Sequence, residues 1–187
     1  MAGGRAVAEW AGDGRVWDLD FSPDGRLLAA AGPGRSVTVV DWRTREAVLD
    51  VAGDQWATAV AFSPDGKQLA SAERDGAVVK VWDVPDGDSR LAGQPRQVLG
   101  GFDQPCALAF SPDGRRLAAV SRDSVKLWDA ETGHEVLSLR GAPHKHWDPA
   151  FNPQVTFSPE GRRLAATNWD KTVSVWQSEE PSDARAP

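Results

Sequence analysis

The 187-residue chain has no tyrosine, one methionine, three histidines and a single cysteine, Cys106. One cysteine excludes an internal disulfide and any multi-cysteine metal site. No run approaches the ~20 apolar residues that a membrane-spanning helix needs. The opening decapeptide MAGGRAVAEW has no apolar core of signal-peptide length. A reducing cytoplasm is therefore the expected compartment, with no membrane partner. Cationic excess is missing too: Lys+Arg total 21 against 27 Asp+Glu, for a formal net charge of −6. Nucleic acid is not an expected partner, because such binding needs a positive footprint. Long helical periods with caps are also absent.

What is present is turn chemistry, tryptophan and repetition. Glycine (18) and proline (13) are plentiful, and there are nine tryptophans. FSPDG begins at Phe21, Phe62 and Phe110, and FSPEG begins at Phe157. Each copy leads into a short Leu/Ala run: RLLAAA, KQLASA, RRLAAV and RRLAAT. After another turn comes a Val-rich run: SVTVVDW, AVVKVW, SVKLW and TVSVW. Proline presets φ, aspartate bonds its own backbone and glycine accepts positive φ, so Ser-Pro-Asp-Gly reads as a tight hairpin turn. The flanking runs are short, Val/Leu-rich and partly alternating, which is strand patterning. Each unit is thus a four-stranded antiparallel meander, with strands a to d. In the second unit these fall at 57–62, 68–72, 78–82 and 97–99. Strand a of each unit ends near Phe21, Phe62, Phe110 and Phe157.

On these residues the chain resembles the WD-repeat β-propeller family, of a bacterial type, across 6–176. The pairs Trp82-Asp83 and Trp128-Asp129 close strand c, Trp176-Gln177 keeps only the Trp, and Asp41-Trp42 inverts the pair. Trp17-Asp18, Trp147-Asp148 and Trp169-Asp170 match by letters alone. The expected fold is all-β, with four four-stranded blades. The resemblance implies a structural tetrad of His, Ser/Thr, Asp and Trp in each unit. Its members here are Ser71, Asp75, Asp123 and Asp170 with Trp82, Trp128 and Trp176. Gly34, Ala30, Ala119 and Ala166 break the pattern, so no unit is complete.

Residues 6–10 resemble an opening strand d, and the chain reaches Trp176 on a strand c. Residues 177–187 read as a disordered polar tail. Four such blades are expected to form about half a ring. The open readings are a fragment of a longer propeller, a homodimer completing eight blades by exchange of strand 6–10, and a closed four-bladed monomer.

The residues point away from catalysis. Cys106 has no neighbouring base, and Gly32-Pro33-Gly34 is a turn, not a phosphate cradle. His144, His146 and Asp148 carry metal-ligating chemistry but read as an ordinary long loop. No cofactor or metal is expected. Trp and Arg are the residue types enriched at binding hot spots. One end of the propeller, made of d–a loops and b–c turns, collects Arg35, Trp56, Arg74, Arg122, His144, His146, Trp147 and Trp169. The expected function is a non-catalytic protein–protein interaction scaffold, a docking or sensor module such as forms the C-terminal part of larger signalling proteins. The alternative is a propeller enzyme with a polar or metal site in its channel. Asp18 and Asp20 are the strand-a carboxylates that it would use.

Overall fold

The computed structural model describes residues 15–33, 37–51, 56–85, 94–101, 104–121, 124–140, 153–168 and 170–178. Every regular element among them is a β-strand, and none is a helix. The first blade comprises β1 (Asp18–Phe21), β2 (Leu27–Ala31), β3 (Val37–Asp41) and β4 (Glu46–Val51). The second has β5 (Ala57–Phe62), β6 (Gln68–Glu73), β7 (Val78–Asp83) and β8 (Gln97–Leu99). The third has β9 (Ala107–Phe110), β10 (Arg116–Val120), β11 (Ser124–Asp129) and β12 (Glu135–Arg140). Among the described residues the fourth has β13 (Val155–Phe157), β14 (Arg163–Thr167) and β15 (Val173–Gln177). Each sheet is an antiparallel meander in chain order. Strand β15 takes in Gln177, which the sequence places in the tail. Residues 6–10 and 179–187 lie outside the described set.

The first hairpin of every blade is held by one hydroxyl. Ser22 Oγ accepts the Leu27 N–H at 2.8 Å and donates to Asp24 Oδ1 at 2.6 Å. Ser63 does the same with Gln68 and Asp65, and Ser111 with Arg116 and Asp113. Ser158 Oγ accepts the Arg163 N–H at 3.0 Å. The glycine closing each turn has φ between 66° and 73°, where a Cβ is strained. These turns also stack from blade to blade. A Cβ on Gly66 would lie 3.4 Å from the Pro23 ring, one on Gly114 3.7 Å from Pro64, and one on Gly161 3.5 Å from Pro112.

The strands place apolar residues on both faces, as expected when each sheet is sandwiched between others. Val37 and Val39 of the first blade share a buried cluster with Val60, Phe62, Leu69 and Trp82 of the second. Val79 and Val81 then meet Leu117 and Trp128 of the third, against Leu108 and Phe110. Val125 and Leu127 meet Val155, Leu164 and Trp176 of the fourth. The innermost strands β1, β5, β9 and β13 adjoin in succession, whereas among the described residues β13 and β1 share no extensive contact. The four blades thus form an open arc, a partial propeller.

Register shows which residues play equivalent parts. Leu69 pairs with Trp82, Leu117 with Trp128 and Leu164 with Trp176, whereas Leu28 pairs with Val40. Trp42 is therefore no inverted copy of the strand-ending tryptophan. It lies beyond β3 and donates its Nε1–H to the Gly25 carbonyl at 2.8 Å, tying down its own blade's turn. In the second blade, Trp82 Nε1–H donates to Ser71 Oγ at 2.9 Å, with both side chains buried. Asp75 is exposed in the following turn. Asp170 Oδ1 accepts from the Thr172 hydroxyl and N–H, within its own turn. Asp123 falls outside the described residues.

Two outcomes follow. Ser71→Ala leaves the buried Trp82 Nε1–H without its acceptor and is expected to cost about 1–3 kcal/mol. Trp82→Ala empties the site between two blades and is expected to cost about 3–5 kcal/mol. Urea unfolding of both variants measures the order, and equal costs would contradict this account. The turn aspartates supply the second outcome. The serine hydroxyls hold the Asp24, Asp65 and Asp113 carboxyls below the ordinary range, helped by the next main-chain N–H groups. A carboxyl lowered on folding adds stability above its unfolded value, lost as pH falls through the folded one. The triple variant D24N/D65N/D113N should flatten the acid limb of a melting-temperature profile. An unchanged acid limb would show that these turns do not govern it.

Candidate interaction surface and inner groove

Two regions draw together residue types suited to recognition or chemistry. The first is the rim at the start of β1 and β5. Trp17 immediately precedes β1 and Trp56 immediately precedes β5. Their rings meet edge to face, with centroids 5.5 Å apart and planes at 76°. Both remain well exposed, at 38% and 44%. The main chain fixes each one: Trp17 N–H donates to the Ala31 carbonyl at 2.8 Å, and the Trp56 carbonyl accepts the Arg74 N–H at 3.0 Å. Arg74 is thereby anchored beside Trp56 in the turn after β6, where Ala77 takes φ of 51°. So Trp56 and Arg74 come together at this end of the second blade. Trp17 joins them unannounced, since in sequence its pairing with Asp18 is only a coincidence of letters. The signal that could have found it is its place just before strand a, as for Trp56. Arg35, Arg122, His144, His146, Trp147 and Trp169 fall outside the described residues.

In the second blade a buried carboxylate, Glu73, pairs with the half-buried Lys80. Lys80 Nζ lies 2.8 Å from Glu73 Oε1 and 5.8 Å from the Trp82 ring centroid. Glu73 is buried at the end of β6. Its neutralisation by Lys80 is what makes a carboxylate tolerable there. Composition alone gives no reason to place Glu73 inside.

The second region is the groove between the inner strands, with a volume of about 300 Å³. Asp18, Asp20, Thr58, Cys106, Leu108 and Gln154 are among the residues lining it. An inner strand has one unpaired edge, whose N–H groups need acceptors. Asp18 Oδ2 accepts the Val60 N–H at 2.9 Å, and Asp20 Oδ2 accepts the Phe62 N–H at 2.7 Å. The two carboxylates on which a channel enzyme would depend are thus engaged in joining the first blade to the second. Thr58 spans the next junction, donating to the Pro105 carbonyl at 2.8 Å. Cys106 donates Sγ–H to the Gln104 carbonyl at 3.0 Å. His134 is exposed in the turn between β11 and β12. Among the described residues, no group of three or more His, Cys, Asp or Glu is placed to hold a metal ion.

A model of the family described as WD domain, G-beta repeat matches residues 4–41, 46–83, 93–129 and 154–177. The matched segments end with the third strand of each blade, at β3, β7, β11 and β15. The chain belongs to the WD-repeat family. A search of curated proteins finds no match.

Burial pushes both groove carboxyls above the ordinary range. At Asp18 the Val60 and Leu19 N–H groups oppose this; at Asp20 the Phe62 N–H opposes it while the charge of Asp18 adds to it. A carboxyl raised on folding binds its proton more tightly in the folded state. Acidification from the folded value down towards the unfolded 3.8 therefore favours folding, and the dependence vanishes below it. Relative to D18N/D20N, the wild type should gain stability as pH falls through that window, opposite in sign to the turn aspartates. Urea titrations across pH measure the difference, and a wild type that loses ground there would refute the assignment.

Proposed function

We propose that the chain is a non-catalytic scaffold that binds a protein partner, working in the cytoplasm as a docking or sensor module of a larger signalling assembly. Interaction scaffolding is the general business of WD repeats, and the fold supplies a rigid surface without chemistry of its own. The observation that carries the reading is the exposed, edge-to-face pair of Trp17 and Trp56 with Arg74 fixed beside it. Large aromatic side chains held rigidly lose little entropy on binding, and Trp and Arg dominate interface energetics. The rim residues outside the described set, Arg35, Arg122, His144, His146, Trp147 and Trp169, are proposed to extend the same surface. Against the enzyme alternative stand the main-chain N–H groups that already engage Asp18 and Asp20.

The test is affinity capture from native lysate with the wild type and Trp56→Ala side by side, followed by titration of the recovered protein. A hot-spot truncation costs about 2 kcal/mol or more. Trp56→Ala should therefore weaken binding at least about tenfold, with the circular dichroism spectrum unchanged. Equal affinity of a correctly folded Trp56→Ala would place the binding surface elsewhere.

A further inference from the structure

Among the described residues the same junction is built three times, and the outward faces of the first and fourth blades each hold one unmade half. At every junction a trailing blade offers two side chains from its third strand: Val37 and Val39, Val79 and Val81, then Val125 and Leu127. The leading face of the next blade receives them with Val60, Phe62 and Leu69, or their counterparts. The first two valine pairs are buried. In the fourth blade the register counterparts are Val173 and Val175, which pair with Thr167 and Ala165. They stand 63% and 61% exposed. In the first blade the counterparts of Val60 and Phe62 are Leu19 and Phe21, each 55% exposed. The turns repeat the pattern. Gly66, Gly114 and Gly161 each face the proline of the preceding blade's turn, but Gly25 has nothing within 4 Å. Pro159 is likewise exposed in the last turn. So the trailing half lacks a leading half, and the leading half lacks a trailing one.

We propose that a second copy of this chain covers both, the fourth blade of each copy docking on the first blade of the other. The choice of occupant follows from complementarity. The surface that fits a pair of exposed valines beside a turn proline is defined by the chain's own junctions: a leucine, a phenylalanine and an open turn glycine. Leu19, Phe21 and Gly25 are the unfilled set among the described residues. The inner strands agree. Where Asp18 and Asp20 reach across to Val60 and Phe62, the middle blades have alanine: Ala59 and Ala61, then Ala107 and Ala109. The fourth blade again has acceptors, Gln154 and Thr156, both exposed. They hold the register positions from which Asp18 and Asp20 reach across the first junction. Two copies make the junction twice around a two-fold axis, which closes eight blades with no apolar face left over.

This inference is independent of the partner-binding rim, and its test uses no partner. Light scattering of the purified chain should give twice its 20.1 kDa mass. Phe21→Asp spoils the leading face and Val175→Asp the trailing one. Each places a charge in an apolar contact and should raise the dissociation constant at least about a hundredfold. Each variant alone should run as a monomer. Both sites are exposed in the single chain, so circular dichroism should remain that of the wild type. Leu19→Glu and Val173→Glu give a second pair should either variant misfold. Mixing the two variants leaves one sound junction, so the mixture should regain a dimer that neither forms alone. A monomeric wild type would overturn the proposal. So would variants that still pair on their own, a mass that grows with concentration without a plateau, or a mixture that stays monomeric.

Discussion

A blade of this protein can bury its apolar faces only against another blade. Val79 and Val81 project from one side of the second sheet, and Leu69 and Trp82 from the other. No single sheet of such composition would be stable in water, since it would present hydrocarbon on both sides. The rest of the structure serves this face-to-face stacking. Short hairpins keep the strands of one blade in register, so that alternate residues point consistently to one neighbour or the other. Small residues on β5 and β9 let the inner strands approach closely.

The inner strands then pose a second problem, because each has one edge that no strand pairs. The first blade meets it with carboxylates, aimed at main-chain N–H groups of the second. The same two groups carry an energetic conflict: burial disfavours their charge while the hydrogen bonds favour it, and burial prevails. Residues that look like a channel's acid-base pair thus bond one blade to the next. The turn aspartates are their counterpart at the far ends of the inner strands from the tryptophan rim, exposed, bonded by a serine hydroxyl and shifted the other way. One residue type answers two different demands of the same backbone.

The proposed recognition surface is what the stacking leaves exposed. Trp17 and Trp56 come from adjacent blades, 39 positions apart in sequence by their numbers, and touch because successive inner strands begin side by side. Arg74 arrives from a third element, the turn after β6, through a main-chain bond to Trp56. A surface assembled across a junction in this way is as rigid as the junction itself, which is the condition for aromatic anchors to bind without a large entropic loss.

The repeat made the strands, their order and the turns legible, because Ser-Pro-Asp-Gly and period-two alternation act through local backbone chemistry. The second unit shows how closely: strands expected at 68–72 and 78–82 run one residue further, to Glu73 and Asp83. The strand-ending tryptophans were legible as packing residues for the same reason. Other features needed the third dimension. Trp42 and Val40 exchange their expected parts because β3 sets Val40 opposite Leu28 and ends at Asp41, leaving the Trp42 ring beyond the strand to bond the Gly25 carbonyl. Glu73 lies inside because Lys80, two positions along the paired strand, is close enough to neutralise it. The roles of Asp18 and Asp20, and the meeting of Trp17 with Trp56, depend on which blade lies beside which. By itself the sequence determined the unit, since hydrogen bonds and turn torsions within a blade are local. Only the tertiary structure decided what the units do to one another, because contacts between blades join residues some forty positions apart, where no local pattern reaches.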